Sequence, residues 1–100
     1  MNLIFAADSV HITGETTDYR SIADSGNVMH RRFCPACGTP VTSAAESRPH
    51  LLIVRGGTLD DPELARPQGV IWTASAPDWA CIDPALPAVE GQPAPPPPPQ

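Results

Sequence analysis

The chain has 100 residues, 14 of them proline, and carries 11 acidic against 6 basic side chains, a net charge of −5. Such a length builds one small domain at most, and an acidic chain whose densest basic feature is Arg31-Arg32 lacks the basic stripe of a nucleic-acid binder. No apolar run approaches the ~20 residues of a transmembrane helix, and an odd count of 3 cysteines argues against a secreted disulfide framework, so a cytoplasmic protein with no membrane or nucleic-acid partner is expected.

The chain opens on an apolar segment, residues 3–7, without the basic leader or the ~7–15 apolar residues of a signal peptide. Like it, the later apolar segments are short and bounded by turn residues, which favours strands over helices. Val10-His11-Ile12-Thr13 alternates and stops at Gly14, a second strand candidate. Residues 19–22 and 28–33 flank Ala23-Asp24-Ser25-Gly26-Asn27, read as a hairpin loop in which Gly26 takes positive φ. After the cysteine pair come residues 50–55, whose run Leu51-Leu52-Ile53-Val54 suggests a central strand ending at Gly56-Gly57. Only residues 59–67 look helical: Asp61 caps, Pro62 takes the first helical position, and Pro67 stops the helix after a turn or so.

Residues 70–73 are the last strand candidate, and Trp72 and Trp79 are expected in the core. From about Asp83 the chain is proline-rich and ends in the run Pro95 to Pro99, which lacks N–H donors and favours polyproline II. The foldable part is therefore read as residues 2–82, mostly β with tight turns. A chain of that size buries only ~60–65% of its unfolded surface, so a metal or a partner would help it fold.

The feature with chemistry in it is Cys34-Pro35-Ala36-Cys37-Gly38. A C-x-x-C pair is a metal knuckle, a redox dithiol or a coincidence. Two thiolates at this spacing reach one zinc ion at about 2.3 Å if the backbone turns tightly around it. Gly38 relieves that turn, Pro35 stiffens it, and a strand leads into it. The redox reading needs a helix after the first cysteine to lower its pKa, and Gly38-Thr39-Pro40-Val41 cannot propagate one. Structural zinc takes four ligands, and the knuckle offers two. Cys81 sits alone beside Trp79 and Ile82 and reads as a packed residue. His11, His30 and His50 form no pair, with His30 the nearest to the knuckle as a weak further candidate. Asp60-Asp61 reads as a capping pair. Sulfur-only sites also suit iron, so the metal's identity stays open on these residues.

Taken in order, the landmarks resemble the glutathione-dependent formaldehyde-activating family, the centromere-protein-V-like domain. They are Val10-His11-Ile12-Thr13-Gly14-Glu15 with Tyr19, then Arg32-Phe33-Cys34-Pro35-Ala36-Cys37-Gly38-Thr39-Pro40, then Gly57-Thr58-Leu59-Asp60-Asp61-Pro62, then Ile71-Trp72 with Ser75 and Trp79. The resemblance covers roughly residues 3–87 and matches the family's C-terminal part. It implies an Mss4-like, mostly β, zinc-ribbon-containing fold, here N-terminally truncated, with residues 1–87 a partial domain and residues 88–100 a disordered proline-rich tail. It also implies two zinc sites, one structural and completed by the C-x-x-C that Cys34 and Cys37 match, the other catalytic. Both cysteine motifs that precede the matched region in the family are absent here, so no catalytic residue carries over, and a fragment or a mis-assigned start at Met1 is the expectation.

The activity the family implies is that of a carbon–sulfur lyase joining formaldehyde to the thiol of glutathione, with glutathione or another thiol adduct as partner. The chain alone would then be inactive. The alternative is a non-catalytic zinc-binding module, a homodimer in which two chains each give Cys34 and Cys37 to one Zn²⁺.

Overall fold

The computed structural model describes residues 1–93. Its one sheet has five antiparallel strands: β1 (Asn2–Ala6), β2 (Thr17–Ile22), β3 (Val28–Phe33), β4 (Pro40–Ala45) and β5 (Leu51–Arg55). They lie in the order β1-β5-β4-β3-β2. The helical pieces among the described residues are 3-10 turns of three or four residues. The protein is mostly β, as its short, turn-bounded apolar runs require.

Four of the expected strands form within a residue or two of where their patterns place them, and the hairpin loop between β2 and β3 closes as expected. Gly26 takes φ +88°, and the Ala23 N–H donates to the Asn27 carbonyl at 2.9 Å. β5 is interior, between β1 and β4. The one helical expectation also holds: residues Pro62–Ala65 make a single 3-10 turn, and Asp61 Oδ1 accepts the Glu63 N–H at 3.0 Å.

β4 has no such forewarning. It occupies the middle of the sheet, yet it reads Pro-Val-Thr-Ser-Ala-Ala, with no run of large apolar residues. Pro40 is tolerable because it is the strand's first residue, where no ladder donor is needed. Thr42 and Ser43 are among the most buried side chains, at 2% and 7% exposure. Such small residues leave no hydrophobic signature in the sequence. Between Arg32 and Phe33 the register with β4 slips, leaving Val41 as the extra residue of a bulge just beyond the cysteine loop.

Residues 10–13 do not form a strand. β1 and β2 are consecutive in sequence but lie at opposite edges of the sheet, so residues 7–16 must cross its face. Four inter-strand steps of about 4.8 Å make roughly 19 Å, well within the ~33 Å that ten extended residues span. A 3-10 turn at Ala7–Ser9 and Gly14 at φ +102° steer the crossing. Val10 and Ile12 thus line the space over the sheet rather than extend it, and Ile12 stays exposed. Under this face, paired across β4 and β5, lie Thr42 and Val54. Val54, at 4% exposure, is the buried hydrophobic residue of the described chain. Large apolar side chains elsewhere stay open, among them Ile4, Tyr19 and Ile22.

A second compact unit begins at Arg66. The strand expected at residues 70–73 shrinks to a single parallel bridge between Val70 and Ala88. The Val70 N–H donates to the Pro87 carbonyl and the Val89 N–H to the Val70 carbonyl, each at 2.9 Å. Structure therefore continues past Ile82, where the foldable part was expected to end. Proline lacks a donor, but its carbonyl still accepts, and the residues between prolines still donate. Residues 89–91 of the expected tail take part in this backbone bonding, while Pro95 to Pro99 lie outside the described residues. The two tryptophans are not core residues, with Trp79 83% exposed and Trp72 51% exposed. Trp72 sits at φ 58°, in the left-handed region, and its indole N–H donates to Gln92 Oε1 at 3.2 Å. A unit of turns and single bridges has no sheet face under which an indole could be buried.

Candidate metal centre

β3 delivers the chain into the cysteine loop and β4 carries it away. The loop is closed by two backbone hydrogen bonds: the Cys34 N–H donates to the Thr39 carbonyl at 2.9 Å, and the Gly38 N–H to the Cys34 carbonyl at 2.8 Å. Gly38 takes φ +78°, a conformation that a Cβ resists, and it stands where the turn has to reverse. The backbone therefore bends as two thiolates around one ion require. Cys34 is half-buried, Cys37 is exposed, and both are free thiols.

The electrostatics favour the ligand form. Cys37 lies below the ordinary thiol range, first because the Thr39 hydroxyl hydrogen-bonds its sulfur at 3.0 Å, then through the Thr39 N–H, then through the Cys34 side chain. Each of these interactions stabilises a thiolate, the form that binds metal. As a donor set the pair fits half of a tetrahedral zinc site. It does not fit a whole one, because no group of three or more His, Cys, Asp or Glu is gathered for a metal among the described residues.

Beside Cys34 lies an open cleft of about 630 Å³ between the crossing segment and the sheet. Phe5, Val10, Ile12, Val54 and Leu59 give it apolar walls, while His11, Glu15 and Asp60 supply polar groups. That volume falls within the range of small-molecule sites. The resemblance motifs 10–15 and 57–62 are far apart in sequence and meet along this cleft.

The remaining candidates disperse. Cys81 is exposed and belongs to the second unit. His50 Nε2 is buried with no hydrogen-bond partner. His30 is already engaged: Nδ1 stands 2.7 Å from Asp18 Oδ2, and Nε2 stands 2.7 Å from Glu46 Oε1. Side chains that touch these candidates, Thr39 and Glu46 among them, escaped the reading of the sequence. Thr39, next but one after Cys37, was legible only as a turn residue. Glu46 reaches His30 solely because β4 pairs with β3, a strand pairing with no sequence signature.

A model of the family described as glutathione-dependent formaldehyde-activating enzyme matches residues 1–75 of the chain. No curated protein and no solved structure matches it.

Proposed function

The chain belongs to the glutathione-dependent formaldehyde-activating family, and from that premise we propose that Cys34 and Cys37 hold zinc as two of the four ligands of a structural site. The observation that carries this reading is the knuckle: a glycine-relieved turn, closed on itself, with one thiol already biased toward thiolate. The other two ligands then come from another polypeptide segment or from a second copy of this chain, since residues 94–100 contain no Cys, His, Asp or Glu. We assign the whole protein to the cytoplasmic carbon–sulfur lyases that join formaldehyde to the thiol of glutathione. That assignment rests on family membership.

In such a protein the described residues supply scaffold and cleft. Zinc with an open coordination position holds a thiolate or polarises a carbonyl, whereas Cys34 and Cys37 serve to lock β3 to β4. The cleft beside them has room for a thiol adduct, with apolar walls for its body and Glu15, His11 and Asp60 for its polar groups. A second reading is favoured by the absence of a third metal ligand near the pair among the described residues. Two knuckles facing across a two-fold axis would complete four sulfurs.

The test is zinc content per chain, measured with the native mass, in the unaltered protein, in Cys34→Ser and in Cys81→Ser. Zinc that disappears in Cys34→Ser and persists in Cys81→Ser supports the knuckle. About one zinc per two chains in a dimer selects the shared site. Zinc retained in Cys34→Ser refutes the knuckle reading. The lyase assignment is checked separately, by formation of the formaldehyde–glutathione adduct with zinc-loaded protein; a rate no higher than the uncatalysed one removes it.

A further inference from the structure

His30 sits in the middle of β3, with an acidic group on each side of its ring. By register Arg20 of β2 and Ala44 of β4 are its direct cross-strand neighbours, and Asp18 of β2 is opposite Arg32 of β3. Alternation puts Asp18, Arg20, His30, Arg32 and Ala44 on one face of the sheet. Glu46 follows β4 directly, and its N–H donates to the Val28 carbonyl at 3.0 Å. The imidazole bridges these elements, with Nδ1 at 2.7 Å from Asp18 and Nε2 at 2.7 Å from Glu46.

A neutral imidazole has one N–H donor and one acceptor nitrogen, while the imidazolium has two donors. Both nitrogens here face carboxylates at hydrogen-bonding distance, so the geometry is satisfied only by the doubly protonated ring. Removal of one proton sets a lone pair against a carboxylate. Of the two carboxylates, Glu46 keeps a second cationic neighbour, Arg20, whose Nε is 3.9 Å away. Asp18 has Arg32 opposite it in register, and it stands on β2, an edge strand whose backbone pairs with β3 alone.

We propose that His30 is a proton-operated fastening for edge strand β2: protonated, it ties Asp18 to Glu46 across three strands, and on losing its proton it releases Asp18 and loosens β2. The consequence reaches the cleft. Glu15 and Thr16, which line it, immediately precede β2 at Thr17. A loosened β2 frees that end of the crossing segment, so access to the cleft widens as pH rises.

The direction of the titration agrees. The hydrogen bond that His30 donates to Glu46, then the one it donates to Asp18, raises its pKa above the ordinary value of 6.5. A group whose pKa is raised by folding contributes stability that is complete below its unfolded value and is lost as pH rises through the folded one. The fastening is therefore closed in mildly acidic solution and opens on the alkaline side of the ordinary histidine range.

The experiment is imidazole NMR together with amide-exchange protection factors, corrected for intrinsic exchange, for the β2 and β4 amides of the full chain across this pH range. The His30 midpoint is expected above the ordinary value, and β2 protection is expected to fall while β4 protection holds. The fall should be about tenfold for each pH unit by which the midpoint is raised. In His30→Gln the pH dependence of β2 should vanish. Asp18→Asn removes the edge-strand partner without emptying the site, so it should lower the His30 midpoint and flatten the β2 response even if His30→Gln fails to fold. A His30 midpoint at or below the ordinary value, or β2 protection that does not change with pH, overturns the proposal. So does the same pH dependence in Asp18→Asn. None of these readouts involves zinc, so they stand or fall apart from the knuckle.

Discussion

Gly38 at φ +78° and Thr39 at 3.0 Å from the Cys37 sulfur do different jobs within two residues of chain. The glycine makes the turn possible, and the threonine prepares the thiol. Gly38→Ala meets no neighbouring atom, so its cost is backbone strain alone, expected at about 1–2 kcal/mol and measurable as a lower denaturation midpoint. An unchanged midpoint would mean the loop can turn another way. Thr39→Val removes the largest cause of the lowered Cys37 pKa while keeping the branched shape. The pH midpoint for alkylation of Cys37 in the metal-free chain is expected to move upward; if it stays, the hydroxyl is a bystander. The C-x-x-C and its glycine were legible in sequence because their geometry is local. The part played by Thr39 was not, since a hydroxyl two residues along a turn is pointed by the turn itself.

Among the elements, β1, β2, β3 and β5 were readable and β4 was not, for one physical reason. β5, interior like β4, shows itself through the run Leu51-Leu52-Ile53-Val54. β4 is built from Thr42, Ser43, Ala44 and Ala45, too small to leave an apolar run in the sequence. Residues 10–13 failed in the opposite direction, since a genuine apolar alternation there lines the space over the sheet instead of joining a ladder. Val54 shows how thin the resulting core is. It pairs with Leu3 on one side and Thr42 on the other, beneath the crossing segment. Val54→Ala is expected to cost about 2 kcal/mol, a large share of the stability of so small a domain. Equilibrium unfolding in urea measures it, and a loss within ~0.5 kcal/mol would show that the site collapses around the change or was never dry.

At the scale of the molecule, little apolar surface is buried among the described residues, and that makes a metal worth more. If zinc binds the folded chain and not the unfolded one, it raises the melting temperature by mass action. Added zinc is expected to raise it in the unaltered chain and in Cys81→Ser, and not in Cys34→Ser; a chelator should reverse the gain. Equal gains in all three chains would place the binding elsewhere. The sequence by itself determined the β class, the tight turn at the C-x-x-C and the family, because short apolar runs, tight turns and motif spacing are properties of neighbouring residues. Only the tertiary structure decided that β1 and β2 lie at opposite edges, that residues 7–16 therefore cross the sheet and wall a cleft beside Cys34, and that His30 stands between Asp18 and Glu46. Those facts depend on which strand pairs with which: backbone hydrogen bonds, open to every residue but proline, do not discriminate between partners, and the side-chain packing that does joins residues far apart in sequence.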